Sequence, residues 1–175
     1  MTLPILKVPD PRLRQVAAPV RGVDPGVVRL MENMLETMYA APGIGLSAPQ
    51  VGVLKRVLVA DITGRGVRRD PLCMANPEIL WASAESSFCN EGCLSLPDQY
   101  AAVSRPSRVL VRYLNRQNEV RDYTADGLLA TVIQHEMDHL EGILFVDYLS
   151  KLRRDIIVRR LQKAHRLRLL GQPPP

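Results

Sequence analysis

Two of the three histidines in this 175-residue chain, His135 and His139, stand four residues apart around Glu136. Chance supplies a His-Glu-x-x-His match in a chain of this length and composition about 0.002 times, so the arrangement asks for a cause. On a helix, positions i and i+4 lie one above the other. Two imidazole nitrogens can then reach one cation while Glu136, one position round, approaches a water on that cation. The plainer reading, two core histidines satisfied by hydrogen bonds, is disfavoured by the glutamate between them.

A hydrolytic site of this type needs a third protein ligand and an open position. The metzincin pattern would put a third histidine three residues after Gly142, but position 145 is Phe. Asp155 is the only acidic residue of the last helical segment, and its neighbours suggest a solvated basic face. Cys93, in EGCLSLP (91–97), offers a thiolate that binds zinc or iron strongly, although cysteine also serves as a small buried residue. Cys89 and Cys93 could instead join the histidines in a closed Cys2His2 site, leaving a basic tail to bind nucleic acid. Against that, roughly forty residues separate the two pairs where a finger has a short spacing, and Glu136 would have no purpose.

The elements that must hold these residues can be read from periodicity. Asp24-Pro25 looks like an N-cap followed by proline at the first helical position, and Val28, Met31, Leu35 and Met38 repeat at helical spacing until Pro42-Gly43, which predicts a helix over about 25–40. RVLVAD (56–61) and SRVLVRYLN (107–115) read as strands, with NRQNE (115–119) turning into another short extended piece. From Asp126 to about Leu140, Leu128, Leu129, Val132, Ile133, Met137 and Leu140 put apolar groups almost all round a helix that Gly142 stops, so the histidine helix belongs in the middle of the fold. Ser150 can cap a last helix to about Leu170, with Leu152, Ile156, Leu161 and Ala164 as an apolar stripe, before a disordered Gly-Gln-Pro-Pro-Pro end. The expected class is α+β, with the strands antiparallel.

Composition bounds the rest. A hydrophobic content of 46% with 23% charged residues suits one globular domain over 1–175. Neither a signal peptide nor a membrane span is legible, and three cysteines are too few and odd for a disulfide framework, so an intracellular, cytoplasmic protein with no membrane partner is expected. The net charge is +5. Residues 151–170 carry Lys151, Arg153, Arg154, Arg159, Arg160, Lys163, Arg166 and Arg168 against Asp155, or +7, and the remainder sums to −2. Such a segment suggests an anionic surface nearby, although a solvated face over an apolar stripe is the usual explanation.

GIGLSAPQVG (43–52), EGCLSLP (91–97) and QHEMDHLEG (134–142), in this order and spacing, resemble the three signature motifs of peptide deformylase, and the similarity runs from LPILKVPDPRLR to the last helix. The resemblance implies a metal helix surrounded by antiparallel sheets, with a C-terminal helix. It implies removal of the formyl group from N-formylmethionine at the start of new polypeptides. The ligands would be Cys93, His135 and His139, with iron(II) as the physiological metal and zinc or nickel forms possible. Glu136 would take the water proton and hand it to the departing amine, and Gln50 with the backbone N–H of Leu94 would be the oxyanion donors.

Leu128, Thr131 and Val132 lie seven, four and three positions before His135, on that ligand's helix face, and should line an apolar hole beside the metal. The family's methionine pocket adds Ile44, Cys89, Glu91 and Leu94 at matching positions, and Gly45 and Gly92 complete the substrate-binding set. Gly43-Ile44-Gly45 offers a side-chain-poor backbone to which an extended peptide could pair as an added strand, so residues after methionine would be read mainly through main-chain bonds. Tyr100 stands where some family members carry arginine, which bears on preference for those residues. In bacterial members the C-terminal helix contacts the ribosome, so residues 151–170 are expected to touch ribosomal RNA phosphates. Nothing demands more than a monomer.

Overall fold

The computed structural model describes residues 1–64 and 66–171; the proline-rich end expected to be disordered lies, from residue 172 on, outside the described residues. Helix α1 covers Pro25–Ala40, where the Asp24 side chain accepts from the Val27 N–H at 2.8 Å and proline occupies the first turn. Its buried residues Val27, Met31, Met34, Leu35 and Met38 fall at helical spacing and enter one core with Leu46, Val57 and Val59.

Among the described residues seven strands follow, β1 (Gly45–Ser47), β2 (Val57–Ala60), β3 (Leu72–Ala82), β4 (Ser86–Cys93), β5 (Leu96–Pro106), β6 (Arg108–Leu114) and β7 (Val120–Asp126). They form a five-stranded sheet in the order β1-β2-β3-β6-β7 and a separate two-stranded ladder β4-β5, with every pairing antiparallel. The strands expected at 56–61 and 107–115 are β2 and β6, and the extended piece after the 115–119 turn is β7. β1 sits at an edge, bonded to β2 alone.

β3 and β5 are long, yet they interrupt their own pattern. Asn76 in β3 adopts φ 48° at a register shift, and its side-chain amide exchanges hydrogen bonds of 2.9 and 2.8 Å with the Val20 backbone. Asp98 in β5 adopts φ 60°.

Helix α2 covers Gly127–Leu140 and touches β1, β2, β4, β5, β6 and β7. Residues 130–136 are consecutively buried, as befits a helix covered on all sides. Gly142 ends the chain's helical run at φ 70°, where a Cβ would stand 2.5 Å from the Arg14 carbonyl oxygen. The observed class is α+β with antiparallel sheets and a C-terminal helix.

Helix α3 covers Lys151–Leu169, and the Ser150 hydroxyl accepts from the Arg153 N–H. Its buried residues are Ile157 and Leu161, with Val158, Ala164 and Leu167 half-buried. This corrects the expected stripe: Leu152 and Ile156 are 71% and 43% exposed. α3 docks chiefly against β5 and the 3-10 turn Phe145–Tyr148. One narrow face is covered, and at about 100° per residue that face begins one position later than the sequence pattern suggests. Ile157 and Leu161 join Leu13, Leu96, Val103, Leu144 and Phe145 in a core of their own. Among the described residues no helix is long and apolar enough to cross a membrane.

Candidate functional site

α2 places His135 and His139 one turn apart, with ring centroids 5.0 Å from each other and planes at 75°. The end of β4 brings Cys93 to them, its Sγ 3.2 Å from His139 Nε2. One ligand atom from each of the three lies within 4.8 Å of the others, and among the described residues this is the group of histidine, cysteine and acidic side chains that could hold a metal ion. Two buried imidazoles and a half-buried thiol converging from separate elements suit zinc or iron(II). Asp155 is outside the group and lies beside Arg154 on α3. Phe145 is apolar packing, stacked on the His135 ring at 6.2 Å. Cys89 is also outside the group, so the closed Cys2His2 arrangement is not formed.

Glu136 completes the centre. It is 4% exposed, and its Oε2 has no hydrogen-bond partner among the described residues. A buried carboxylate oxygen without a partner is costly unless the site supplies one, and a water held beside the thiol and imidazoles would do so. Burial pushes the Glu136 carboxyl up to about 7, the range in which a general base operates at neutral pH. Burial likewise drives His139 well below its ordinary value, reinforced by the neighbouring His135. Burial also opposes charge on His135, but Cys93 and Glu91 beside it hold the ring's proton in the metal-free site well above the ordinary range. A cation has to displace that proton to bind.

Gln50 is held at both ends. Its Oε1 accepts from the Ser47 N–H at 2.9 Å and hydroxyl at 3.0 Å, which leaves Nε2 donating towards Cys93 Sγ at 3.4 Å and Ser95 Oγ at 3.1 Å. Leu94 begins the two-residue turn between β4 and β5, so its backbone lies next to the thiol. Its side chain packs towards Gly43, where a Cβ would stand 2.7 Å from Leu94 Cδ1.

A cleft of about 830 Å³ opens from this centre, lined by Ile44, Gly45, Cys89, Glu91, Gly92 and Leu94 together with Leu128, Thr131 and Val132 of α2. Every expected site residue therefore borders the cleft except His139, which belongs to the trio without lining the cleft. The Glu91 carboxylate turns inwards, accepting from His135 Nδ1 at 2.8 Å and from Arg105 at 2.5 and 3.0 Å. The Tyr100 ring covers Gly92, where a Cβ would meet Cε1 at 2.5 Å. Sequence reading missed Arg105, Ser47, Ser95 and the N-terminal residues Thr2, Leu3, Ile5 and Lys7 that also line the cleft. Arg105 did carry a signal, since it alternates with Val103 on the inward face of a strand and needed a buried counter-charge.

Residues 2–155 match the family model described as polypeptide deformylase. The chain belongs to the polypeptide deformylase family. It is 52% identical over 165 residues to the peptide deformylase of Rhizobium meliloti, covering 94% of this chain and 95% of that one. The crystal structure of peptide deformylase from Ehrlichia chaffeensis superposes with a TM-score of 0.91 at 38% identity, covering 97% of this chain and 99% of that one. The Met-Ala-Ser-bound class I type b peptide deformylase from Acinetobacter baumannii matches with a TM-score of 0.80 at 36% identity, over 85% of this chain and 99% of that one. Deformylase membership and the buried trio thus rest on independent observations, one from the whole chain and one from three side chains.

Proposed function

We propose that this chain removes the formyl group from N-formylmethionine at the start of new polypeptides, releasing formate. The observation that carries this reading is the partnerless Oε2 of Glu136, buried beside Cys93, His135 and His139 at the end of an apolar cleft. Those three residues would hold one divalent cation, which when bound lowers the pKa of a water and polarises the formyl carbonyl. Iron(II) is the proposed native metal, with zinc or nickel as substitutes.

Glu136 accepts the proton of the attacking water, the water oxygen bonds to the formyl carbon, and Glu136 returns the proton to the amine as the C–N bond breaks. Gln50 Nε2–H and the Leu94 N–H donate to the oxyanion on the formyl oxygen. The methionine side chain enters the apolar part of the cleft between Ile44, Cys89, Leu128 and Val132, with Gly92 and Glu91 on its floor. The following residues add as a strand to the free edge of β1, where Gly45 lets the backbone approach.

The whole of 1–175 would act as one catalytic domain in the cytoplasm, as a monomer. Lys151, Arg153, Arg159, Arg160, Lys163, Arg166 and Arg168 are exposed on α3, which supports a ribosomal RNA phosphate contact through 151–170. Ribosome binding that ignores both added salt and deletion of 151–175 sinks that part of the reading.

The central test measures formate released from formyl-Met-Ala-Ser by anaerobically purified, iron(II)-loaded protein beside a Glu136→Ala variant, with bound metal quantified in both. Release by the parent and loss in a variant that still holds one metal is the expected result. A metal-loaded parent that releases no formate overturns it and favours an amidase acting on another acyl group.

A further inference from the structure

The Glu91 carboxylate that accepts from His135 is itself fixed by a chain of side chains from three other elements. Arg105 on β5 is 4% exposed, and its guanidinium donates through Nε and Nη2 to both oxygens of Glu91 on β4. Its Nη1 donates to Asp138 Oδ2 on α2 at 2.8 Å. The same Oδ2 accepts from the Tyr148 hydroxyl at 2.9 Å, and the Tyr148 ring lies 4.9 Å from the Arg105 guanidinium carbon. Tyr148 is half exposed beside a smaller cavity of about 350 Å³ that Arg105 and Asp138 also line. The two histidines differ in this respect: His139 Nδ1 has no hydrogen-bond partner among the described residues.

We infer that Asp138 and Tyr148 are positioning residues for the metal centre, acting through Arg105 and Glu91 on His135. A hydrogen bond from Nδ1–H to a carboxylate fixes the tautomer and ring plane, so that Nε2 presents its lone pair to the cation. A carboxylate does this only if it cannot turn. Arg105 holds both Glu91 oxygens, and Asp138 holds the third guanidinium nitrogen, which would otherwise be a buried donor without an acceptor. Tyr148 fills the remaining side of Asp138 and covers the guanidinium with its ring. The arrangement spends this control on one ligand, because the packing around His139 offers no equivalent acceptor.

The inference rests on the metal reading above but is tested without deformylase activity. The affinity of the purified protein for Zn²⁺ is measured by competition with a chromophoric chelator, for the parent, Asp138→Asn and Tyr148→Phe, together with thermal unfolding of each metal-free form. The expected result is affinity lowered about tenfold by Asp138→Asn and by a smaller factor by Tyr148→Phe. Should Asp138→Asn fail to fold, Tyr148→Phe decides alone, since it removes one hydroxyl and keeps the ring. Variants that melt earlier yet hold Zn²⁺ as tightly as the parent have only a structural role, and the inference falls. A parent that binds no Zn²⁺ overturns the metal reading and this one with it, whereas parent and variants binding alike overturn this one only.

Discussion

Gly45 faces Glu136 so closely that it has no room for a side chain: a Cβ there would overlap Glu136 Oε1 and stand 2.8 Å from Val132 Cγ1. The edge strand that would pair with a peptide and the carboxylate that would move the proton are therefore in direct contact. Gly45→Ala must displace Glu136, Val132 or the strand, and a displacement near 1 Å costs about a hundredfold in rate. Steady-state deformylation with formyl-Met-Ala-Ser checks it; an alanine variant with parental kcat would mean that the strand yields without disturbing Glu136.

Glu136 also makes the metal-free protein sensitive to pH. Its carboxyl is raised from 4.5 to about 7 by burial, so the fold favours the neutral form. That contribution is complete below pH 4.5 and is lost as pH rises through 7. Relative to a Glu136→Gln variant, which cannot ionise there, the metal-free parent should lose about 3 kcal/mol of stability across this window. Denaturant unfolding of both chelated proteins at pH 5 and pH 8 gives the difference; a constant gap would refute the assignment.

Gln50 offers a way to separate placement from chemistry. Gln50→Glu keeps an oxygen for the two Ser47 donors and replaces the Nε2–H group facing Cys93. Loss of one oxyanion donor lowers kcat by about a hundredfold with little change in KM. A variant whose KM rises while kcat holds would show that Gln50 binds substrate in its ground state instead.

Cys89 borders the cleft but stays outside the ligand trio. Cys89→Ser should keep one metal per chain, measured by elemental analysis after dialysis. Metal loss in that variant would restore the closed four-ligand site as a contender.

Much of this architecture was readable where local rules agree with one another. Asp24-Pro25 marks the start of α1, VLVA is β2, and Gly142 ends α2 because a left-handed turn against the Arg14 backbone tolerates little else. β3 and β5 escaped, since Asn76-Pro77 and Asp98 are turn-favouring residues inside strands that are made by pairing with β2 and β6 in one case and with β4 in the other. At the site, helical spacing aligned the histidines, while residue chemistry left Cys93 and Asp155 both open until the three motifs were taken together. Arg105, Asp138 and Tyr148 obey no spacing rule, because their meeting depends on how a strand, a helix and a short turn pack. The α3 stripe was misplaced for a similar reason: which face is covered is decided by β5 and Phe145–Tyr148, not by α3 itself.

Two cores share the support of the centre. Cys93 packs with Leu96, Val103, Ile157 and Leu161, whereas the helix that carries the histidines is seated through Ala130, Ile133 and Leu140 among the sheet residues Leu58, Met74, Val109 and Val111. Thiol and histidine helix are thus seated mainly in different cores, which meet where the Phe145 ring stacks on His135, and the spacing of the ligands depends on how those cores pack. A methyl lost at Leu161 would loosen the core against which both the thiol and, through the Phe145 ring, His135 lean. Residues far from the cleft thereby act as an alignment screw for it.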